Sequence, residues 1–167
     1  VSMKELLDEV GKDAARYFFL MRAPDSHLDF DMALAVEQSQ ENPVYYIQYA
    51  HARICSILRQ AEENGVKLPA AAQADLNMLE TEAELDLIKK LAQLPEEIIE
   101  AAERREPHRI ARYCYELAST FHSFYTHCRV LGEEEALQDA RLVLVQATKQ
   151  VLQIALGVLG VSAPEQM

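Results

Sequence analysis

Apolar residues recur every three or four positions along nearly the whole chain, and no stretch alternates apolar and polar residues as a half-buried strand would. The clearest run is Ile110, Cys114, Leu117, Phe121, Phe124 and Cys128, one stripe down one side of a helix. A chain with that period buries its apolar surface by laying helix against helix. Five glycines and six prolines in 167 residues are too few for a sandwich of many short strands. The expected fold is all-α: a bundle of about five main helices over residues 42–167, preceded by a short helical lead-in over residues 1–41.

Local signals place the elements. Residues 4–10 read as a short helix stopped by Gly11, and Asp13 as the cap of a second helix reaching Arg22 before Pro24. Residues 23–31 have loop chemistry, with Leu28 and Phe30 plugging into a core; Asp29 or Asp31 then caps a helix to about Gln40. Asn42 followed by Pro43 puts a capping side chain before a proline at the first helical position, where its missing N–H costs nothing. Gly65 marks the far end of that helix, and Ile47, Ile54, Leu58 and Ala61 form its buried stripe. After a loop containing Pro69, Thr81-Glu82-Ala83-Glu84 has the capping-box pattern and opens a helix to Leu94. Pro95 and Pro107 start the next two, the second running to about Leu131. Glu133, Glu134 and Glu135 suit the N-terminus of a last helix to about Leu159, apolar nearly all round and so expected at the centre.

Charge and cysteine content narrow the function. Sixteen basic against 27 acidic residues give a net charge of −11, the opposite of a protein that grips nucleic acid by broad phosphate neutralisation. A site that reads a few bases locally is still allowed. Three cysteines, Cys55, Cys114 and Cys128, lie far apart with no C-x-x-C pair, so neither a disulfide framework nor a zinc ribbon is expected. They read as reduced thiols in a cytoplasmic protein. Charged residues interrupt every apolar run in the first 22 positions, unlike a signal peptide. The longest uncharged stretch, residues 150–164, falls short of the roughly 20 apolar residues of a membrane span. Neither a membrane nor DNA is an expected partner.

No phosphate-binding, dinucleotide-binding or nucleophile-elbow motif is present, and no residue stands out as catalytic. His122 and His127 are five apart, off the i, i+4 spacing of a helical metal pair, so no metal site is expected. The helix from Pro43 is more informative. At 100° per residue, Tyr46, Tyr49 and Arg53 lie within about 60° of arc, beside the apolar stripe rather than inside it. Phenol faces stack on unpaired bases and a guanidinium supplies planar donors, so this flank suits base recognition. The plainer reading makes both tyrosines core-edge residues and pairs Arg53 with a neighbouring carboxylate. Tyr125 sits one position off the stripe of its helix and is expected to be half exposed; Tyr113 belongs to the core.

The runs "DAARYFFLMRAPDSHLDFD" and "ENPVYYIQYAHARICSILRQA" resemble the stretch of bacterial arginyl-tRNA synthetases that leads from the catalytic domain into the anticodon-binding domain. The closing run "ALQDARLVLVQATKQVLQIALGVLGVSAPEQM", with its Asp139-Ala140-Arg141-Leu142, resembles the second marker of that domain. The resemblance covers both ends of the chain, and residues 65–105 match only as variable helices. The family's class I catalytic signatures, H-I-G-H-like and K-M-S-K-like, are absent, and "VSMKELLDEVG" resembles the segment just after the second of them. The chain thus resembles a C-terminal piece of the enzyme, with Val1 suiting a cut-out segment. Residues 1–41 would be the tail of the catalytic domain and its connector, and residues 42–167 the anticodon-binding bundle.

What the resemblance implies is specific. The parent enzyme would be an ATP- and magnesium-dependent arginine-tRNA ligase, whereas this piece would hold no cofactor and be inactive alone. Its partners would be the anticodon loop of arginine tRNA and the catalytic domain of the same polypeptide. Tyr46, Tyr49 and Arg53 match positions facing the anticodon loop, and Arg59 continues that helix. Residues 38–43, with Asn42, resemble the connection that contacts the loop backbone. Tyr125 and Met167 match positions that help enclose an anticodon base, and Gln166 stands where the family often has a basic residue. Arginine anticodons share a central cytosine, whose amine donor beside acceptors calls for backbone carbonyls or a carboxylate plus one cationic or amide donor. The competing reading is an acidic helical bundle that binds other proteins and no RNA. The two differ in whether Tyr46, Tyr49, Arg53 and Tyr125 converge on one exposed concavity.

Overall fold

The computed structural model describes residues 2–167; Val1, read above as the start of a cut-out segment, lies outside them. The elements are α1 (Met3–Leu20), α2 (Met32–Val36), α3 (Pro43–Glu63), α4 (Glu82–Ala92), α5 (Leu94–Arg104), α6 (His108–His127) and α7 (Glu135–Leu159), with no strand among the described residues. The all-α expectation holds.

Most boundaries follow from caps. Asn42 Oδ1 accepts from Val44 N at 3.1 Å, and Pro43 occupies the first turn of α3. Gly65, at φ 75°, lets Val66 N return to Ala61 O at 2.9 Å and close that helix. Thr81 and Glu84 form a reciprocal capping box at α4, and Glu134 caps α7. Gly11, at φ 79°, kinks α1 into two helical pieces at the expected place.

Three local expectations differ from the structure, each for a tertiary reason. Asp13 does not act as a cap; its carboxylate accepts from Ser162 N at 3.2 Å and Gln48 Nε2 at 3.0 Å. The helix α2 stops at Val36 rather than near Gln40, because Asn42 Nδ2 reaches back to the carbonyls of Ala35 and Glu37. The helix α6 ends at His127, short of Leu131, and Arg141 Nη1 takes the Arg129 carbonyl of the connection at 2.6 Å.

Packing centres on α3, α6 and α7. The stripe Ile47, Ile54, Leu58 and Ala61 is buried against Leu117, Phe121 and Phe124 of α6 and Leu142, Val145 and Leu152 of α7. Ala14, Tyr17 and Phe18 of the lead-in join the same core, and Tyr17 Oη donates to Ala111 O at 3.0 Å. Phe30 packs on Phe18 and Phe19, whereas Leu28 is half-buried outside the main core. With 25 residues, α7 is long and apolar enough to cross a membrane by length and hydropathy alone. Half of its apolar window is buried in the bundle, where it packs against α3, α4 and α6. It is central but not buried all round, since Ile154 and Val158 face solvent. The three cysteines are free and buried, and burial pushes the Cys114 thiol up to about 12.

The marker run in α7 serves packing. Arg141 Nε donates to Glu84 Oε1 at 2.6 Å with both side chains out of water, while Glu84 Oε2 accepts from Thr81 N at 2.8 Å. This pair ties α7 to the start of α4.

Candidate functional site

The α3 flank carrying Tyr46, Tyr49 and Arg53 faces α6, which presents Tyr115, His122 and Tyr125. Arg53 lies between two phenols. Its guanidinium carbon is 5.2 Å from the ring centroid of Tyr49 and 5.2 Å from that of Tyr125. Nη2 donates to Tyr49 Oη and Nη1 approaches Tyr125 Oη at 3.5 Å. The hydrogen bond that Arg53 donates to Tyr49 outweighs partial burial and holds the cation above its ordinary value. Among the described residues no carboxylate pairs with Arg53, so the plainer reading of an intramolecular ion pair does not apply. A guanidinium with free donors, fixed between aromatic faces, is prepared to receive a flat, acceptor-bearing ligand.

A cavity of about 420 Å³ opens beside this cation. Tyr49, Arg53, Arg59, Tyr125, Gln166 and Met167 wall it, and Ala52, Ser56, Ile57 and Gln60 form the α3 side. Tyr125 is 38% exposed, as its position off the stripe predicts, and Met167 is 55% exposed at the rim. Arg59 Nη1 donates to Glu165 O at 3.2 Å and so fastens the wall formed by the closing segment.

Five of the seven sequence-predicted site residues therefore share one concavity: Tyr49, Arg53, Arg59, Tyr125 and Met167. Tyr46 does not line it. Its ring packs 5.1 Å from Tyr115 and 4.9 Å from His122, and His122 in turn stacks 6.0 Å from Tyr49. Tyr46 thus reaches the cavity through an intervening ring. Asn42 is also elsewhere: it is 3% exposed, its side chain is occupied by the α3 cap and the carbonyls of residues 35 and 37, and it fixes the preceding loop. It borders a second, wider hollow of about 750 Å³ shared with Tyr45, Gln48 and Met167.

His122, which stacks on Tyr49 outside the cavity lining, and Gln166, which stands in its wall, are not among the site residues predicted from sequence. The spacing of His122 from His127 argues only about metal binding, yet His122 stands seven residues after Tyr115 and so on nearly the same helical face. That spacing was the available signal. Burial holds the His122 imidazole below its ordinary value, which keeps it a neutral stacking surface. Gln166, marked in the sequence only as standing where the family often has a basic residue, is carried into the wall by the closing segment.

A model of the family described as the DALR anticodon binding domain matches residues 47–167. The whole chain is 60% identical to an arginine–tRNA ligase of Desulforamulus reducens and 58% identical to one of Symbiobacterium thermophilum, and spans 30% of each. It superposes over its full length on 28% of the Thermus thermophilus arginyl-tRNA synthetase, with a TM-score of 0.81 and 33% identity. The chain therefore corresponds to about 30% of the length of these curated relatives.

Proposed function

Given that the chain belongs to the DALR anticodon-binding domain family found in arginine–tRNA ligases, we propose that it reads the central cytosine of the arginine anticodon for a parent ligase. The supporting observation is Arg53, a cation without a carboxylate partner, held between Tyr49 and Tyr125 at the mouth of a cavity about 420 Å³ in volume. A pyrimidine stacks on a phenol face, its acceptors take guanidinium donors, and its amine turns to the main-chain carbonyls of the closing segment. Tyr46 contributes indirectly by seating His122 against Tyr49. Asn42 contributes by shaping the loop before α3.

In this reading residues 1–41 connect the bundle to a catalytic domain in the same polypeptide. That domain binds ATP with magnesium and arginine, and joins the amino acid to its tRNA in the cytoplasm. The bundle supplies recognition only, and the net charge of −11 is compatible with that because Arg53 and Arg59 concentrate positive charge at the cavity. The protein-interaction alternative is not favoured, since family membership and the free cation both point to RNA.

The test is binding of an arginine anticodon stem-loop to the full-length polypeptide that carries this chain. Replacing the central cytosine by uracil exchanges an amine for a carbonyl and should weaken binding about 5- to 150-fold, the range for losing one well-formed base contact. Equal affinity for both stem-loops would sink the proposal.

A further inference from the structure

Residues 160–167 have no helix of their own, yet they bring Gln166 and Met167 to the wall of the base cavity. Besides Asp13 at Ser162 and Lys149 at Glu165, a row of three α3 side chains holds them. Gln48 Nε2 donates to Ser162 O at 3.0 Å, His51 Nδ1 to Pro164 O at 2.8 Å, and Arg59 Nη1 to Glu165 O at 3.2 Å. The three positions fall within about 80° of arc on α3, so the segment is laid along one face of that helix.

These bonds are not equivalent. Those of Gln48 and Arg59 lie in exposed surroundings, where water replaces a lost partner. His51 is at 0% exposure, so no water replaces Pro164 O as the acceptor for its ring N–H. A carbonyl accepts, so Nδ1 must carry the proton. The other ring nitrogen, Nε2, is then buried without a partner. An unpaired buried acceptor destabilises the fold, and an apolar side chain of similar size would avoid that cost. What an imidazole supplies here that an apolar side chain would not is the bond to Pro164, with the Cys55 thiol 3.8 Å from the same nitrogen.

We infer that His51 is a positioning residue for base recognition: its Nδ1–H pins the Pro164 carbonyl so that Gln166 and Met167 close over Arg53 and Tyr125. This inference rests on the proposed reading of the cavity as a base site. The groups facing the ring are consistent with a neutral imidazole. Cys55 Sγ stands 3.8 Å from Nδ1 on the same helix, Lys149 approaches from α7 and Glu165 from the closing segment, and burial holds His51 below its ordinary value.

The experiment compares His51→Leu, His51→Asn and His51→Gln in the full-length polypeptide, using aminoacylation of arginine tRNA and of the same tRNA with its central cytosine changed to uracil. Asparagine places an N–H donor near the position of Nδ1, and glutamine places it near Nε2. His51→Leu should lose about 10-fold in kcat/KM on the natural tRNA, mainly through KM, and much less on the altered one. His51→Asn should retain most of the central-base preference and His51→Gln should lose it, a contrast that decides the matter even if the leucine variant does not fold. Undiminished discrimination by His51→Leu, or equal losses by the asparagine and glutamine variants on both tRNAs, would overturn the inference alone. A wild-type enzyme indifferent to the central base would instead overturn the reading beneath it.

Discussion

Arg53 on α3 and Tyr125 on α6, 72 residues apart in sequence, meet with the guanidinium carbon 5.2 Å from the phenol centroid. Tyr49 holds the opposite side of the same cation at the same distance. A cation–π contact at a partly exposed site contributes about 0.5–1 kcal/mol, enough to orient the guanidinium but too little to consume it. Because no carboxylate must be displaced, a base entering the cavity meets donors already aimed and still available.

The buried pair Arg141–Glu84 should dominate the stability of the α4–α7 junction. Arg141→Ala leaves the Glu84 carboxylate fully buried and without its guanidinium partner, a change that typically costs about 3–5 kcal/mol. For a chain of this size that is roughly 6–20 °C in Tm, readable by thermal melting with helical circular dichroism. A loss within about 1 °C would show that the buried Glu84 carboxylate does not depend on its guanidinium partner.

Stability should fall as pH drops below neutrality. Burial holds both His51 and His122 below the ordinary 6.5, so the unfolded chain binds protons there that the folded chain excludes. Their contribution is complete above pH 6.5 and is lost as pH falls from 6.5 through the lower folded values. At Glu84, burial raises the carboxyl, but the hydrogen bonds from Arg141 and Thr81 together outweigh it, so a further loss begins only below 4.5. Denaturant titrations between pH 8 and 5 would check the first step, and His51→Asn should flatten it. A curve level through pH 5 would mean that neither ring is kept neutral by the fold.

Gly160 ends α7 at φ 70°, and a Cβ there would stand 2.5 Å from Arg16 Nε, the atom that donates to Leu159 O at 2.7 Å. Gly160→Ala should therefore cost about 1–2 kcal/mol from the left-handed backbone alone, and should also release Arg16. Melting temperature reads the first effect. Faster amide exchange at Val161 and Ser162 reads the second, because the closing segment starts at this turn. Unchanged exchange would confine the effect to the helix end.

Where one or two neighbouring residues decide an outcome, sequence alone was enough. Asn42-Pro43, Gly65 and the Thr81–Glu84 box mark their helix ends by local chemistry, and the stripe from Ile110 to Phe124 declares its buried face by period. The failures are tertiary. Asp13 looked like a cap but spends its carboxylate on Ser162, a contact 149 residues away. Tyr46 and Tyr49 share a flank, yet the placement of α6 packs Tyr46 on Tyr115 and leaves Tyr49 lining the cavity with Arg53 and Tyr125. Residues 160–167 lie where Asp13, Gln48, His51 and Arg59 meet them, contacts that no local pattern in the closing segment announces.

The central claim is that Arg53 and Tyr125 read one base, and it is tested most directly by aminoacylation kinetics of Tyr125→Ala and Arg53→Ala in the full-length polypeptide, on arginine tRNA and on a tRNA lacking the central cytosine. Stacking of a base on an aromatic ring is worth roughly 1–3 kcal/mol, so Tyr125→Ala should lower kcat/KM about 5- to 150-fold on the natural tRNA. Melting curves taken alongside separate this from a folding defect, which should be small for a ring 38% exposed. On the altered tRNA, where the base contact is already gone, both variants should lose little more. Equal losses on the two tRNAs, with folding intact, would mean that Arg53 and Tyr125 only support the helices, and base recognition by this cavity would be contradicted.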